Sequence, residues 1–242
     1  MDLIEKTENC NRHPWELSRS YNLINILKTN NNSFSYADIG SGDKYFTSKI
    51  RSITTGKVFA VDSEYTENGI DENEIMCLND ISLLENNSID CVVMMDVLEH
   101  IENEDEFLKI VLTKLKPDGK IVITVPAMQF LFSSHDIFLK HYRRYSRKRL
   151  LSVLKKHNIK IEKSHYFYTS LFLLRLISFL LENKKSTKNE AVGIGMWKHK
   201  ENSLITKILK LSLNIDFKIN SILNKTFIHL PGLSLLAVCS KK

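Results

Sequence analysis

Three groups of residues in this chain carry side chains suited to chemistry. The first is Asp38-Ile39-Gly40-Ser41-Gly42, an acid followed by a glycine turn. Glycine has no side chain and tolerates positive φ, so the backbone there can approach a ligand closely. The free N–H groups of a helix starting just beyond would favour a polar or anionic group on that ligand. The second is Asp62, 24 residues past Asp38. An acid at that distance, at the tip of the next strand, can accept hydrogen bonds from ribose hydroxyls; a turn or helix cap is the plainer alternative. The third is His135-Asp136, followed by His141, Arg143, Arg144 and Tyr145. Imidazole titrates near neutrality and suits a general base. Asp136 can orient or assist it, and the two arginines can clamp a phosphate or carboxylate. The same stretch also reads as a solvated arginine face with Tyr142 and Tyr145 packed beneath it and His135 and Asp136 as caps. His100 is either a further base or a hydrogen-bonding residue at a helix start. His135, Asp136 and His141 lack the usual zinc spacing, and no metal is expected.

These residues sit at the ends of regular elements. Strand-like runs over Val58 to Asp62, Ile75 to Leu78, Ser88 to Met95 and Ile121 to Val125 follow the run that ends at Ile39. The run ending at Met95 is apolar almost throughout, as in parallel strands covered on both faces. Helical spacing is predicted over residues 3–28, Lys44 to Ile53, Glu102 to Leu115 and Ser146 to His157. Strands alternating with helices predict βαβ units and a parallel sheet, with ligands outside the carboxyl ends of the strands. A sixth strand is expected over Ile159 to Tyr166 and the last over Leu233 to Cys239. About 65 residues lie between them, far more than an ordinary loop. Leu171, Leu174, Ile177 and Leu181 predict one apolar helix there. Leu204, Ile208, Ile215 and Ile219 predict a second, although Leu211 to Ile219 alternates like a strand. Residues 184–197 read as a polar connector.

Hydrophobic residues make up 43% of the 242 and charged residues 26%, which excludes a disordered chain. The four cysteines (Cys10, Cys77, Cys91, Cys239) form no CxxC pair, as in a reducing, cytoplasmic setting. Met1 to Lys6 is charged and has no signal-peptide run. The longest apolar stretch, Tyr166 to Leu181, carries Arg175 at its middle and is not expected to span a membrane. Charge is divided unevenly, −11 over residues 1–136 and +17 over 137–242. Either the second part meets something anionic or its lysines form solvated faces. No RNA-binding module is recognisable, and nucleic acid is not expected as a partner.

Taken together and in order, the segments resemble class I S-adenosylmethionine-dependent methyltransferases over roughly residues 13–165 and the last strand. Asp38 to Gly42 is similar to their first motif and Asp62 to the acid that holds the ribose. Asn79-Asp80-Ile81 is similar to the site whose Asp meets the adenine amino group. Ser88-Ile89-Asp90 with Asp96-Val97-Leu98-Glu99-His100, and Leu115 to Lys120, resemble two later motifs. The position that commonly holds a third glycine is Lys44. Val125 to Asp136 with His141-Tyr142-Arg143-Arg144-Tyr145 resembles a bacterial subgroup often associated with glycan or lipid-carrier biosynthesis. His13-Pro14-Trp15 with Arg19 resembles that subgroup's N-terminal helix, which lies over the cofactor.

The resemblance implies an α/β fold: a Rossmann-like seven-stranded sheet with helices on both faces. Residues 1–166 and 230–242 would form the methyltransferase domain, and 167–229 a helical insertion serving as lid, dimer surface or membrane-facing element. S-adenosylmethionine would be bound by Trp15, Arg19, Asp38, Gly40, Gly42, Asp62, Asp80, Asp96, Leu98 and His100. His135, Asp136 and His141 would be catalytic, and Arg143, Arg144 and Tyr145 would hold the substrate. The acceptor would be a small molecule or one linked to a glycan or lipid carrier, methylated at oxygen with a His base. N- or C-methylation, or a non-catalytic assembly role, are the alternatives. The expected location is cytoplasmic, with peripheral contact at the inner membrane face left open.

Overall fold

The acid-and-glycine turn closes the strand at the middle of the sheet. In a computed structural model, which describes residues 11–182, 197–226 and 228–242, β1 (Tyr36–Ile39) lies between β2 (Val58–Val61) and β5 (Ile89–Met95), parallel to both. Cys10, the start of the predicted 3–28 helix and nearly all of the 184–197 connector lie outside the described residues. Beyond β2 comes β4 (Ile75–Leu78), also parallel, and beyond β5 comes β6 (Leu115–Pro126). The final strand, β8 (Ser234–Ser240), inserts antiparallel between β6 and β7 (Lys160–Phe167). Residues 65–73 read as turns in the sequence. Gly69–Ile70 within them (β3) adds a two-residue antiparallel edge to β4 and makes an eighth strand.

Register gathers the chemistry. Ile39 stands opposite Val61 and Met94, and Val61 opposite Leu78. Gly40, Asp62, Asp80 and Asp96 follow these paired residues by one or two positions. They therefore share one carboxyl edge, at the point where strand order reverses around β1.

The sheet separates two apolar layers. Val92 and Met94 face Leu108 and Val111 of α3 (Glu104–Lys114) and Leu150 and Leu154 of α5 (Arg147–Lys156). Cys91 and Val93 face Leu23 and Leu27 of α1 (Pro14–Leu27), Phe46 and Ile50 of α2 (Tyr45–Arg51), and Leu213 and Phe217 of α7 (Leu204–Lys225). The alternation along β5 follows from strand geometry.

Among the described residues α1 starts at Pro14. His13 Nδ1 accepts from the Trp15 amide at 3.3 Å and Glu16 accepts from the His13 amide at 3.1 Å, a capping box with proline at the first helical position. Helix α7 is continuous through the strand-like stretch, because Leu213, Phe217 and Asn220 bury one side at helical spacing. Its Asp216 accepts from the Thr169 and Ser170 amides at 3.1 and 2.8 Å, capping α6 (Thr169–Glu182). Ser18 Oγ donates to Asn214 at 2.7 Å and ties α1 to α7. Among the described residues no helix is long and apolar enough to cross a membrane.

Candidate active site

A cleft of about 1710 Å³ opens along the carboxyl edge. Its cofactor side is built on the turn after β1. Gly40 has φ +71° and Gly42 φ +51°. A Cβ on Gly40 would stand 2.5 Å from Val97 Cγ2, so only glycine fits without displacing that side chain. Lys44, in place of a third glycine, adopts φ 63° and ψ 10°, the left-handed region a glycine would favour. The turn therefore keeps its shape at a cost of about 1–2 kcal/mol. The Lys44 ammonium pairs with Asp71 at 2.8 Å.

Asp62 accepts the Gly42 amide at 2.7 Å and the Glu64 amide at 3.0 Å, which orients its carboxylate in the cleft wall. Asp80 accepts from the Ser82 amide at 2.6 Å and lines the same wall. Arg19 is buried, lies 4.5 Å over the Trp15 ring and ion-pairs with Asp96. Trp15 and Arg19 thereby close the cleft from α1, tied to Asp96 after β5.

The opposite wall comes from the segment after β6. The short helix α4 (Ser134–Phe138) carries His135 to the cleft. Burial pushes the His135 imidazole below its usual value, so it is neutral at pH 7 and able to accept a proton. His141, His100 and Arg144 line the same region, and the His100 and His141 rings meet edge to face with centroids 4.6 Å apart.

Five residues chosen from the sequence do not reach the cleft wall. Asp136 is fully buried and accepts from His141 Nδ1 at 2.9 Å, Arg144 Nε at 2.8 Å and the Ser133 amide at 2.9 Å. It holds two cleft residues in place and lies outside the cleft lining. Arg143 turns away to the carbonyls of Ile101 and Glu102 at 2.7 and 2.9 Å and to Glu104. Tyr145 is buried, its hydroxyl donating to Glu104 at 2.5 Å. Leu98 is a core side chain. Asp38 lies beneath the glycine turn and accepts from Thr47 Oγ1 at 2.6 Å.

A methyltransferase domain model matches residues 11–164. The chain belongs to this family. It is a class I S-adenosylmethionine-dependent methyltransferase, as the sequence motifs implied. No curated protein matches the sequence.

Among solved structures, geranyl diphosphate methyltransferase in complex with GPP and sinefungin shares the methyltransferase's fold. The TM-score is 0.60 and the identity 11%, over 94% of this chain and 78% of that one. The 4+2 cyclase SpnF gives a TM-score of 0.58 at 14% identity, over 97% and 84%. Phosphoethanolamine N-methyltransferase 2 of Haemonchus contortus, in complex with S-adenosyl-L-methionine, gives 0.54 at 16%, over 92% of this chain and 52% of that one.

The methyltransferase's cleft fits its cofactor on internal grounds. The glycine cradle admits backbone approach where a Cβ would clash. Beneath the turn, Asp38 Oδ1 is buried without a hydrogen-bond partner among the described residues, and burial raises the Asp38 carboxyl to about 7.

Sequence reasoning assigned Glu99 no role, though it stands in the quoted motif. It is fully buried at the cleft, and neither carboxylate oxygen has a hydrogen-bond partner among the described residues. Burial, and then the charge of Asp96, push its pKa well above the usual range. The only signal in the sequence was an acid directly after the apolar pair Val97-Leu98 at a strand end. Tyr168, Leu171 and Arg175, from β7's end and α6, also line the cleft and were not singled out for that role.

Proposed function

We propose that this methyltransferase moves a methyl group to an oxygen of a small or carrier-linked acceptor, with His135 as general base. The observation that carries this reading is one continuous cleft walled by Gly40 and Asp62 on one side and His135, His141 and Arg144 on the other. S-adenosylmethionine supplies an electrophilic methyl on a sulfonium. The chain's work is to hold the reacting atoms in line, since alignment is a large part of the rate.

On this reading the glycine turn and Asp62 hold the cofactor's polar groups, and Asp80 receives its adenine. His135, neutral at pH 7, takes the acceptor's hydroxyl proton as the oxygen attacks. Arg144 and Arg175 line the acceptor side of the cleft, Arg144 with its charge paired to Asp136. The choice of oxygen rests on a neutral imidazole at the cleft. The cyclase SpnF shows that this fold also serves other chemistry, so the site and not the fold supports the choice.

Helices α6 and α7, within residues 167–229, serve here as a wall with an outer face. Leu171 and Arg175 of α6 line the cleft. Leu173, Leu174, Ile177, Leu180 and Leu181 on the same helix are exposed. Along α7, Leu204, Ile208, Leu211, Ile215, Ile219 and Ile222 recur every three or four residues and are also exposed. Lys207, Lys218 and Lys225 stand exposed beside them. Apolar burial and lysine attraction act together at an anionic lipid surface, which suits an acceptor carried on a lipid. Sedimentation with anionic liposomes at low salt tests this; failure to sediment limits the acceptor to soluble molecules. The acceptor itself is found by mass spectrometry of metabolites and glycolipids from cells with and without the protein. A methyl-sized difference on a hydroxyl is expected, and one on nitrogen or carbon would replace the O-methyl reading.

A further inference from the structure

Glu99, His100 and His141 converge where β5 ends against the segment after β6. Each offers a ligand atom within 4.8 Å of the other two. We propose that these three side chains bind a divalent first-row transition ion in the acceptor half of the cleft, leaving open positions for the acceptor's oxygen. The inference deepens the O-methyltransferase reading and rests on it for the role of the ion, though not for its binding.

Two further observations support the site, one at Glu99 and one at His141. Glu99 is fully buried and both of its oxygens lack hydrogen-bond partners among the described residues. A buried carboxylate without donors is costly unless a cation or a proton compensates it. The neighbouring cations are already committed, Arg19 to Asp96 and Arg144 to Asp136. Arg19 and Arg144 therefore offset the Glu99 charge only in part against burial and Asp96, so a proton or a bound cation must complete the balance.

His141 is also prepared as a ligand. Its Nδ1 is held by the buried Asp136 at 2.9 Å, which directs Nε2 outward. An imidazole whose second nitrogen donates to a carboxylate is the usual arrangement of a metal-binding histidine. One carboxylate and two imidazoles suit Mn²⁺, Fe²⁺, Co²⁺ or Zn²⁺ better than Ca²⁺ or Mg²⁺. Ligand atoms around such an ion lie about 2.0–2.2 Å from it, and so no more than about 4.4 Å apart. Small side-chain rotations bring the observed spacing into that range.

The role follows from the neighbours. An ion held there would bind the acceptor's hydroxyl oxygen and lower its pKa. The hydroxyl proton passes to the His135 imidazole, the oxygen forms the new bond to the methyl carbon, and the carbon–sulfur bond's electron pair stays on sulfur. The products are the methyl ether and S-adenosylhomocysteine.

Titration of metal-stripped full-length protein with Co²⁺ alone tests the proposal, read by visible d–d absorption and calorimetry. S-adenosylhomocysteine binding is measured in parallel as a check on folding. One Co²⁺ per chain is expected. Glu99→Gln and His141→Ala should each weaken Co²⁺ binding at least tenfold while S-adenosylhomocysteine affinity stays within about twofold. Absence of stoichiometric Co²⁺ binding by the wild type overturns the proposal, and so does equal binding by whichever variant retains S-adenosylhomocysteine. If the wild type binds Co²⁺ but not S-adenosylhomocysteine, the methyltransferase reading fails and the metal site stands.

Discussion

One oxygen of Asp136 accepts hydrogen bonds from both His141 Nδ1 at 2.9 Å and Arg144 Nε at 2.8 Å. Burial alone would raise the Asp136 carboxyl. These two donors instead hold it well below the ordinary range. A single buried acid thus sets the orientation of two cleft side chains. Asp136→Asn leaves Arg144 without its counter-charge in a buried place, which typically costs about 3–5 kcal/mol. Denaturant unfolding should show a loss of that order, and kcat should fall while S-adenosylhomocysteine affinity is nearly kept. Unchanged stability with unchanged kcat would mean that the acid positions nothing.

Gly40→Ala should weaken the cofactor. The new methyl would meet Val97 Cγ2 at 2.5 Å and sit at φ +71°. Calorimetry with S-adenosylhomocysteine should read at least a tenfold loss. Adding Val97→Ala removes the clash but not the backbone strain, so the double variant should recover only part of the affinity. Full affinity in Gly40→Ala would show that the turn does not carry the cofactor.

Adjacent residues in the segment before α5 illustrate what was legible in the sequence. The acids at Asp62, Asp80 and Asp96 could be placed because each follows an apolar strand, and register does the rest. Residues 142–145 are different. Tyr142 and Arg144 line the cleft, whereas Arg143 and Tyr145 face Glu104. An extended segment alternates its sides, so two neighbouring arginines have opposite fates, and composition cannot say which one faces in. Glu99 was hidden for another reason: a carboxyl without partners is a property of the packed structure. The eighth strand was missed because two residues, Gly69–Ile70, are too short to show a period.

Asp38 gives a pH signature. Burial raises its carboxyl to about 7 in the folded protein, against about 3.9 when unfolded. Between these values the folded state holds a proton that the unfolded state releases. This group's contribution therefore makes stability fall as pH rises from about 4 to about 7, and changes no further above that. Asp38→Asn keeps the acceptor for Thr47 and removes the titration. Its melting temperature should exceed the wild type's at pH 8 and match it at pH 4. An offset that is the same at both pH values would contradict the buried-acid account.

His135→Ala should lower kcat by about 100- to 10,000-fold, the range of a general base, with S-adenosylhomocysteine binding kept. Because burial lowers the His135 pKa, the wild-type rate should rise with pH and level off below pH 6.5, the ordinary histidine value. A pH profile that persists in the variant would assign the base elsewhere.

The central claim is that S-adenosylmethionine sits at the carboxyl edge on Asp62, whose carboxylate is oriented by the Gly42 amide at 2.7 Å. Calorimetric titration of wild type and Asp62→Ala with S-adenosylhomocysteine tests it most directly. The account predicts one-to-one binding by the wild type and at least tenfold weaker binding by the variant. Absence of binding by the wild type, or equal affinity in the two, would contradict it.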